Sequence, residues 1–220
     1  MKKMFLKRKP GLLSILLCLC IWAIPLYSSG LLVFGDEVPG KETSKNGEAR
    51  YRIPRIDSGI RVNGVLDDEA WQQALKMEIK YEVWPGENIE APVKTEVFLA
   101  FSDTHLYAAW KAYDPDPSAI CARYSDRDNI WSDDWVALIL DPFNEHNRRF
   151  SFFINPLGVQ CETIQTLANE LIPWDTIWDS AGRITSEGFI VEIAIPFSSL
   201  RFPRKKGEQA WGFDVMRLYP

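Results

Sequence analysis

The feature that most constrains this chain is how often its apolar stretches are interrupted. From Lys94 onward, short runs of alternating or wholly apolar residues stop repeatedly at Gly, Pro, Asn or Asp. Such punctuation favours short strands over long helices. Lys94 to Phe101 places Thr95, Val97, Leu99 and Phe101 on one face, with Lys94 and Glu96 on the other. His105 to Tyr113 follows across the short Ser102-Asp103-Thr104 turn, a hairpin signal. Trp135 to Leu140 is apolar on both faces, the pattern of a strand covered on two sides. Phe150 to Ile154 ends at Asn155-Pro156, and Phe189 to Ile195 alternates around Glu192 and stops at Pro196. Trp211 to Leu218 sets Trp211, Phe213 and Val215 against Asp214. Only Asp67 to Leu75 reads as a helix, with Asp67 as its cap and Trp71, Ala74 and Leu75 on one face. The expectation is an all-β, jelly-roll-like β-sandwich with one short helix near the N-terminus of the domain. The alternation of strand and helix that frames many enzymes is missing.

The amino terminus reads as an export signal. Lys2, Lys3, Lys7, Arg8 and Lys9 precede an apolar run from Leu12 to Leu26, and small residues follow at Ser28, Ser29, Gly30 and Gly35. Residues 1–35 are assigned as a signal peptide cut after Gly30 or after Gly35. The competing reading is an uncleaved anchor, but the run is short for a span and Pro25 interrupts it. The expected location is the periplasm or cell envelope. Residues 36–50, with no aromatic, read as a flexible linker, and 51–220 as one domain. The chain holds 25 basic and 30 acidic residues, and five of the basic ones precede residue 36. The remainder therefore carries 20 basic against 30 acidic residues. A net negative surface of that size excludes nucleic acid as a partner and suits neutral ligands or cations.

Catalytic signatures are scarce. His105 and His146 fall in polar turns, no zinc spacing of Cys and His exists, and neither a phosphate-cradling glycine loop nor a nucleophile elbow is present. Glu162, Asp175, Asp179 and Glu192 are the carboxylates nearest to apolar segments. No spacing marks two of them as a glycosidase pair, so no catalytic residue is assigned. Cys121 and Cys161 are free to pair in an oxidising compartment or to remain buried thiols.

Aromatics carry more signal. Eight tryptophans lie beyond residue 35, most of them expected in the core. Trp131 differs, because it sits in the polar stretch Ser125 to Asp134 just before a strand. It is either a flat platform for a sugar ring or a lid folded onto the sandwich. Asp126, Asp128, Asp133 and Asp134 are weak calcium candidates without EF-hand spacing, the alternative being a solvated acidic rim.

The motifs resemble carbohydrate-binding module family 9. They are Ile60 to Trp71 (IRVNGVLDDEAW), Leu106-Tyr107, Asp133-Asp134-Trp135 through Leu140-Asp141, Phe153 to Gln160, Trp174 to Asp179 and Ile195 to Phe202. The last three are similar to a branch found at the front of large bacterial envelope proteins with a β-rich remainder of unknown function. The resemblance implies a jelly roll, often with structural calcium and no other cofactor, that holds a sugar between two tryptophans. It places Trp131 at one of those tryptophans and Asn155 at a hydrogen-bonding position. Ala137 and Phe153 stand where sugar-binding members have Glu and Arg, and the second tryptophan would fall beyond Pro220.

Carbohydrate binding by a secreted, non-catalytic module, within a protein of carbohydrate catabolism, leads on these grounds, with a polysaccharide or oligosaccharide as partner. A structural or partner-recruiting domain of an outer-membrane β-rich protein is the alternative, and part of a glycoside hydrolase acting on O-glycosyl bonds is the third. Trp135, inside its strand, is expected to serve the core, while loss of Trp131 is expected to leave the fold nearly untouched.

Overall fold

A computed structural model of the chain describes residues 4–7, 30–35, 39–43, 49–166, 171–203 and 208–219, with the backbone alone at 4–7 and 171–173. In chain order the strands are β1 Met4–Lys7, β2 Gly30–Phe34, β3 Gly40–Thr43, β4 Ala49–Ile53, β5 Leu75–Glu78, β6 Tyr81–Glu82, β7 Ile89–Glu90, β8 Thr95–Phe101 and β9 His105–Tyr113. They continue as β10 Trp135–Asp141, β11 Arg148–Ile154, β12 Gln160–Thr166, β13 Leu171–Pro173, β14 Asp179–Thr185, β15 Gly188–Pro196 and β16 Gln209–Tyr219. Helix α1 is Ala70–Gln73, and short 3-10 turns occupy Pro117–Ala119 and Phe197–Ser199.

The larger sheet runs β13-β12-β11-β10-β16-β2-β4-β3, with β1 also beside β16, and the smaller runs β14-β15-β9-β8-β5. They pack face to face as a jelly-roll β-sandwich. Alternation decides what enters the space between them. Val136, Leu138 and Leu140 of β10, Phe152 and Ile154 of β11, and Phe213 and Val215 of β16 meet Val97, Leu99, Trp110, Val191 and Ile193 of the smaller sheet. The other phase of β10, Trp135, Ala137 and Ile139, points outward into a second apolar cluster with Phe153 and Met216. Both faces of β10 are thus covered, as its sequence requires.

Arg217 on the inner phase of β16 is fully buried. It donates to Thr95 Oγ1 (3.1 Å), the Tyr113 carbonyl (2.7 Å) and Asp114 Oδ2 (3.3 Å), so that it ties the two sheets together. Burial lowers its pKa to about 10, against the opposing pull of Asp114.

Several elements depart from the sequence reading. The helix is one turn rather than Asp67 to Leu75, and Asp67 does not cap it. Asp67 instead accepts from Asn63 Nδ2 (3.0 Å) and Asp68 from the Arg61 N–H (2.9 Å), so both carboxylates brace the preceding loop. Strands β12 and β14 escape a periodicity reading, because QCETIQT and DSAGRIT mix polar residues into both phases. Gly30–Phe34, counted within the leader, pairs with β16 on one side and β4 on the other. Gly40–Thr43, counted within the linker, pairs with β4, and its last three residues are exposed. The remainder of the leader and linker, apart from Met4–Lys7 and the neighbouring Gly35, Pro39, Ala49 and Arg50, lies outside the described residues.

Candidate ligand-binding site

The loop before β10 presents Trp131. On one side Ile130 is fully buried, and on the other Asp133 and Asp134 are fully buried. The Asp133 N–H closes the turn on the Ile130 carbonyl (2.9 Å). Asp133 then accepts from Arg123 Nε (3.1 Å), the Arg123 N–H (3.1 Å) and Asn155 Nδ2 (3.0 Å). Asp134 accepts from the Cys121 N–H (3.2 Å), and its own N–H donates to the Cys121 carbonyl (2.7 Å). A buried carboxylate holding several N–H groups is a strong local anchor, since each donor would otherwise be left unpaired.

Trp131 itself is half-buried. Its ring meets Phe153 edge-on at 5.1 Å between centroids and Trp135 at 6.4 Å. Trp84 and Val159 pack on the same cluster. Among the described residues the Trp131 indole N–H has no partner. It is therefore neither a free platform nor a closed lid: part of the ring rests on aromatic neighbours and part stays open to a ligand.

A second loop, over the outer face of the smaller sheet, is built in the opposite way. Glu192 projects outward from β15 but is fully buried. Its carboxylate accepts from the Asn63 N–H (2.9 Å), the Gly64 N–H (2.6 Å) and Trp71 Nε1 (2.8 Å). Gly64 has φ +77°, a conformation open to glycine at little cost, which brings both backbone N–H groups to one carboxylate. The segment IRVNGVLDDEAW is thereby latched to the sheet, and Trp71 is left 5% exposed.

This latch and the Asp-rich entry to β10 lie inside the match to a known family. The model described as "Carbohydrate family 9 binding domain-like" matches residues 62–218. The chain belongs to that family. It is 24% identical over 172 residues to an endo-1,4-beta-xylanase C of Paenibacillus barcinonensis, an alignment covering 78% of this chain but only 14% of that protein. The fold is similar to a putative carbohydrate-binding protein of Bacteroides uniformis, with TM-score 0.55, 12% identity and coverage of 76% and 97% of the two chains. A family 9 module of Caldicellulosiruptor kristjanssonii, solved in complex with cellotriose, aligns with TM-score 0.46 and 13% identity, covering 75% of this chain and 91% of that one.

Against the family 9 expectations, the assigned site residues separate. Trp131 is partly exposed, whereas Asn155 is not. Asn155 is fully buried, its amide donates to the Arg123 carbonyl (2.9 Å) and to Asp133, and its Oδ1 accepts from the Leu157 and Val159 N–H groups (3.0 and 2.9 Å). All its hydrogen bonds are spent on the loop, so its role here is to fix Asp133 and the β11–β12 turn. Ala137 and Phe153 are cross-strand partners, both fully buried. An apolar pair therefore occupies the place of the Glu and Arg that the resemblance implies.

The four calcium candidates do not converge. Asp126 and Asp128 are exposed in the loop, while Asp133 and Asp134 are turned onto N–H groups. Arg123 already supplies the positive charge beside Asp133. Among the described residues no three His, Cys, Asp or Glu side chains gather as a metal ion would need.

The remaining candidates are likewise engaged or dispersed. Glu162 is buried on β12, where it pairs with Arg127 and accepts from the Thr176 N–H (3.0 Å). His105 shares its Nδ1 with Thr104 Oγ1 (2.7 Å), and the His146 N–H donates to Asp141 (2.8 Å). Cys121 and Cys161 do not pair: the Cys121 thiol donates to the Ser132 carbonyl (3.5 Å), and burial raises the pKa of Cys161. Sequence reading missed the clamp formed by Arg123, Asp133 and Asn155. Its one visible sign was two consecutive acids between a tryptophan and a fully apolar strand.

Proposed function

We propose that this chain is a non-catalytic carbohydrate-binding module whose saccharide stacks on Trp131. The observation that carries the reading is the half-buried indole, held at the start of β10 by buried Asp133 and left with its N–H open. Aromatic faces suit the C–H side of a sugar ring, and a ring already fixed by its loop loses little entropy on binding. Membership of the carbohydrate family 9 binding domain-like family supports the same reading. Titration of the full chain with xylo- and cello-oligosaccharides is the test. Binding lost in Trp131→Ala is the expected result, and binding unchanged in that variant removes the proposal.

The absence of the Glu and Arg that the resemblance implies, with buried Ala137 and Phe153 in their places, favours a second reading, in which this face of the domain docks on a β-rich outer-membrane domain without holding a sugar. Such a face would retain an outer-membrane β-domain in pull-down and show no saccharide affinity.

Export fits both readings. Of the two cuts, the one after Gly30 removes only the first residue of β2, whereas the one after Gly35 deletes the strand. Leu32 of β2 is fully buried, and the Phe34 ring lies 4.7 Å from Trp211 and 5.2 Å from Phe101. A mature protein beginning at Leu31 is the expected mass-spectrometric result for exported protein. A start at Asp36 reverses this assignment, and an intact Met1 removes the export proposal.

A further inference from the structure

On the opposite face of β11 from Trp131, along one lip of the sandwich, lies a cavity of about 640 Å³. That volume falls inside the roughly 300–1,000 Å³ of ligand sites. Its floor is aromatic: Phe150 and the half-buried Trp174 lie 4.9 Å apart with rings tilted by 55°. Arg148, Asp175, Ser198 and Arg201 surround that floor, all exposed. Among the described residues none of these four side chains has an ion-pair or hydrogen-bond partner.

The rim behind them is fixed. The Thr176 N–H donates to Glu162 (3.0 Å), Arg127 donates to the Thr176 carbonyl (2.6 Å), and Ser199 Oγ donates to the Ile177 carbonyl (2.6 Å). The loop that carries Trp174 and Asp175 is therefore braced from one side and open on the other. Beyond residue 35 acids outnumber bases 30 to 20, so two arginines on one cavity, with no partner among the described residues, stand out against the general charge.

We propose that this cavity is a second saccharide site, separate from Trp131, and that it takes an oligosaccharide bearing carboxylate groups. The sugar ring lies on Trp174, and the Arg148 and Arg201 guanidinium groups receive the acid through charge-assisted hydrogen bonds. Asp175 and Ser198 meet the hydroxyls, and the Asp175 charge disfavours a bare multivalent anion. The sugar part of this assignment rests on the carbohydrate-binding reading; the acid part rests on the two arginines.

Calorimetry on the full chain with trigalacturonate and with cellotriose tests it. Arg148→Gln with Arg201→Gln is expected to weaken trigalacturonate by about tenfold or more, with loss of its salt dependence. Cellotriose affinity and melting temperature are expected to stay unchanged, because both arginines are exposed and have no partner among the described residues. Trp131→Ala is expected to do the reverse, sparing trigalacturonate and losing cellotriose. Trigalacturonate bound equally by the double variant, or not bound while cellotriose is, overturns the second site alone. Failure of both sugars to bind overturns the carbohydrate reading along with it.

Discussion

Two loops, one over each outer face of the sandwich, carry a tryptophan and rest on a buried carboxylate, yet they end differently. Over the smaller sheet, Glu192 bonds the Trp71 indole directly together with two backbone N–H groups. Over the larger sheet, Asp133 bonds Arg123 and Asn155 and leaves the neighbouring Trp131 ring half open. In the first loop the carboxylate consumes the aromatic; in the second it fixes only the chain that presents it. An anchored loop with an unanchored indole is what a ligand needs, and an anchored indole is what a fold needs.

The comparison breaks most severely at the residue beneath the open ring. Trp135→Ala empties a fully buried site and is expected to cost about 3–5 kcal/mol, measured by chemical denaturation. If its cost is instead as small as that of Trp131→Ala, the inner and outer tryptophans of this face are not distinct. Next come the two carboxylates. Glu192→Ala and Asp133→Ala each strand several N–H donors and are each expected to cost about 3 kcal/mol. Only Asp133→Ala is expected to abolish cello-oligosaccharide binding; equal loss from Glu192→Ala would show that both loops act through global stability.

Trp131→Ala is expected to cost about 1–2 kcal/mol, since part of its ring packs on Phe153 and Trp135. That revises the near-zero cost expected of an indole in a purely polar loop. Cello-oligosaccharide affinity is expected to fall by about tenfold or more at the same time, to the loss of detectable binding in calorimetry on the folded variant.

The smallest effect concerns pH, at Glu96 on the outer face of the smaller sheet. Burial alone would raise Glu96, but the Lys76 and Lys94 ammonium groups at 2.8 and 2.7 Å outweigh it and hold the pKa down from 4.5 to about 2. A lowered folded-state value contributes stability above the unfolded value and loses it as pH falls from about 5 towards 2. Both lysines are about half exposed, so screening reduces the contribution to about 1 kcal/mol. Denaturation at pH 5.5 and 2.5 is expected to show that much less acid sensitivity in Glu96→Gln than in the parent. Equal sensitivity would place the acid response elsewhere.

The strands that build the core were legible because their period is local. Val136, Leu138 and Leu140 alternate with Trp135, Ala137 and Ile139, and that alternation is also their division between the two apolar clusters. Glu192 was readable as outward on the same ground. Its partners were not, because Asn63, Gly64 and Trp71 lie more than a hundred residues away in the chain. Edge strands such as β14 were hidden for a related reason: where one face meets solvent and the backbone pairs on one side only, polar residues satisfy both phases.

The candidate site divides along the same line. By itself the sequence determined the β class, the apolar double face of β10 and the singular position of Trp131 in a polar stretch. Each of these depends on residues within a few positions of one another. Only the tertiary structure decided that Asn155 serves the loop, that Cys121 and Cys161 stay apart, and that Arg148, Trp174 and Arg201 share one cavity. Those outcomes depend on which strands pair and how the connecting loops cross between the sheets. Pairing across long stretches of chain is set by the packing of the whole sandwich, and no local pattern encodes it.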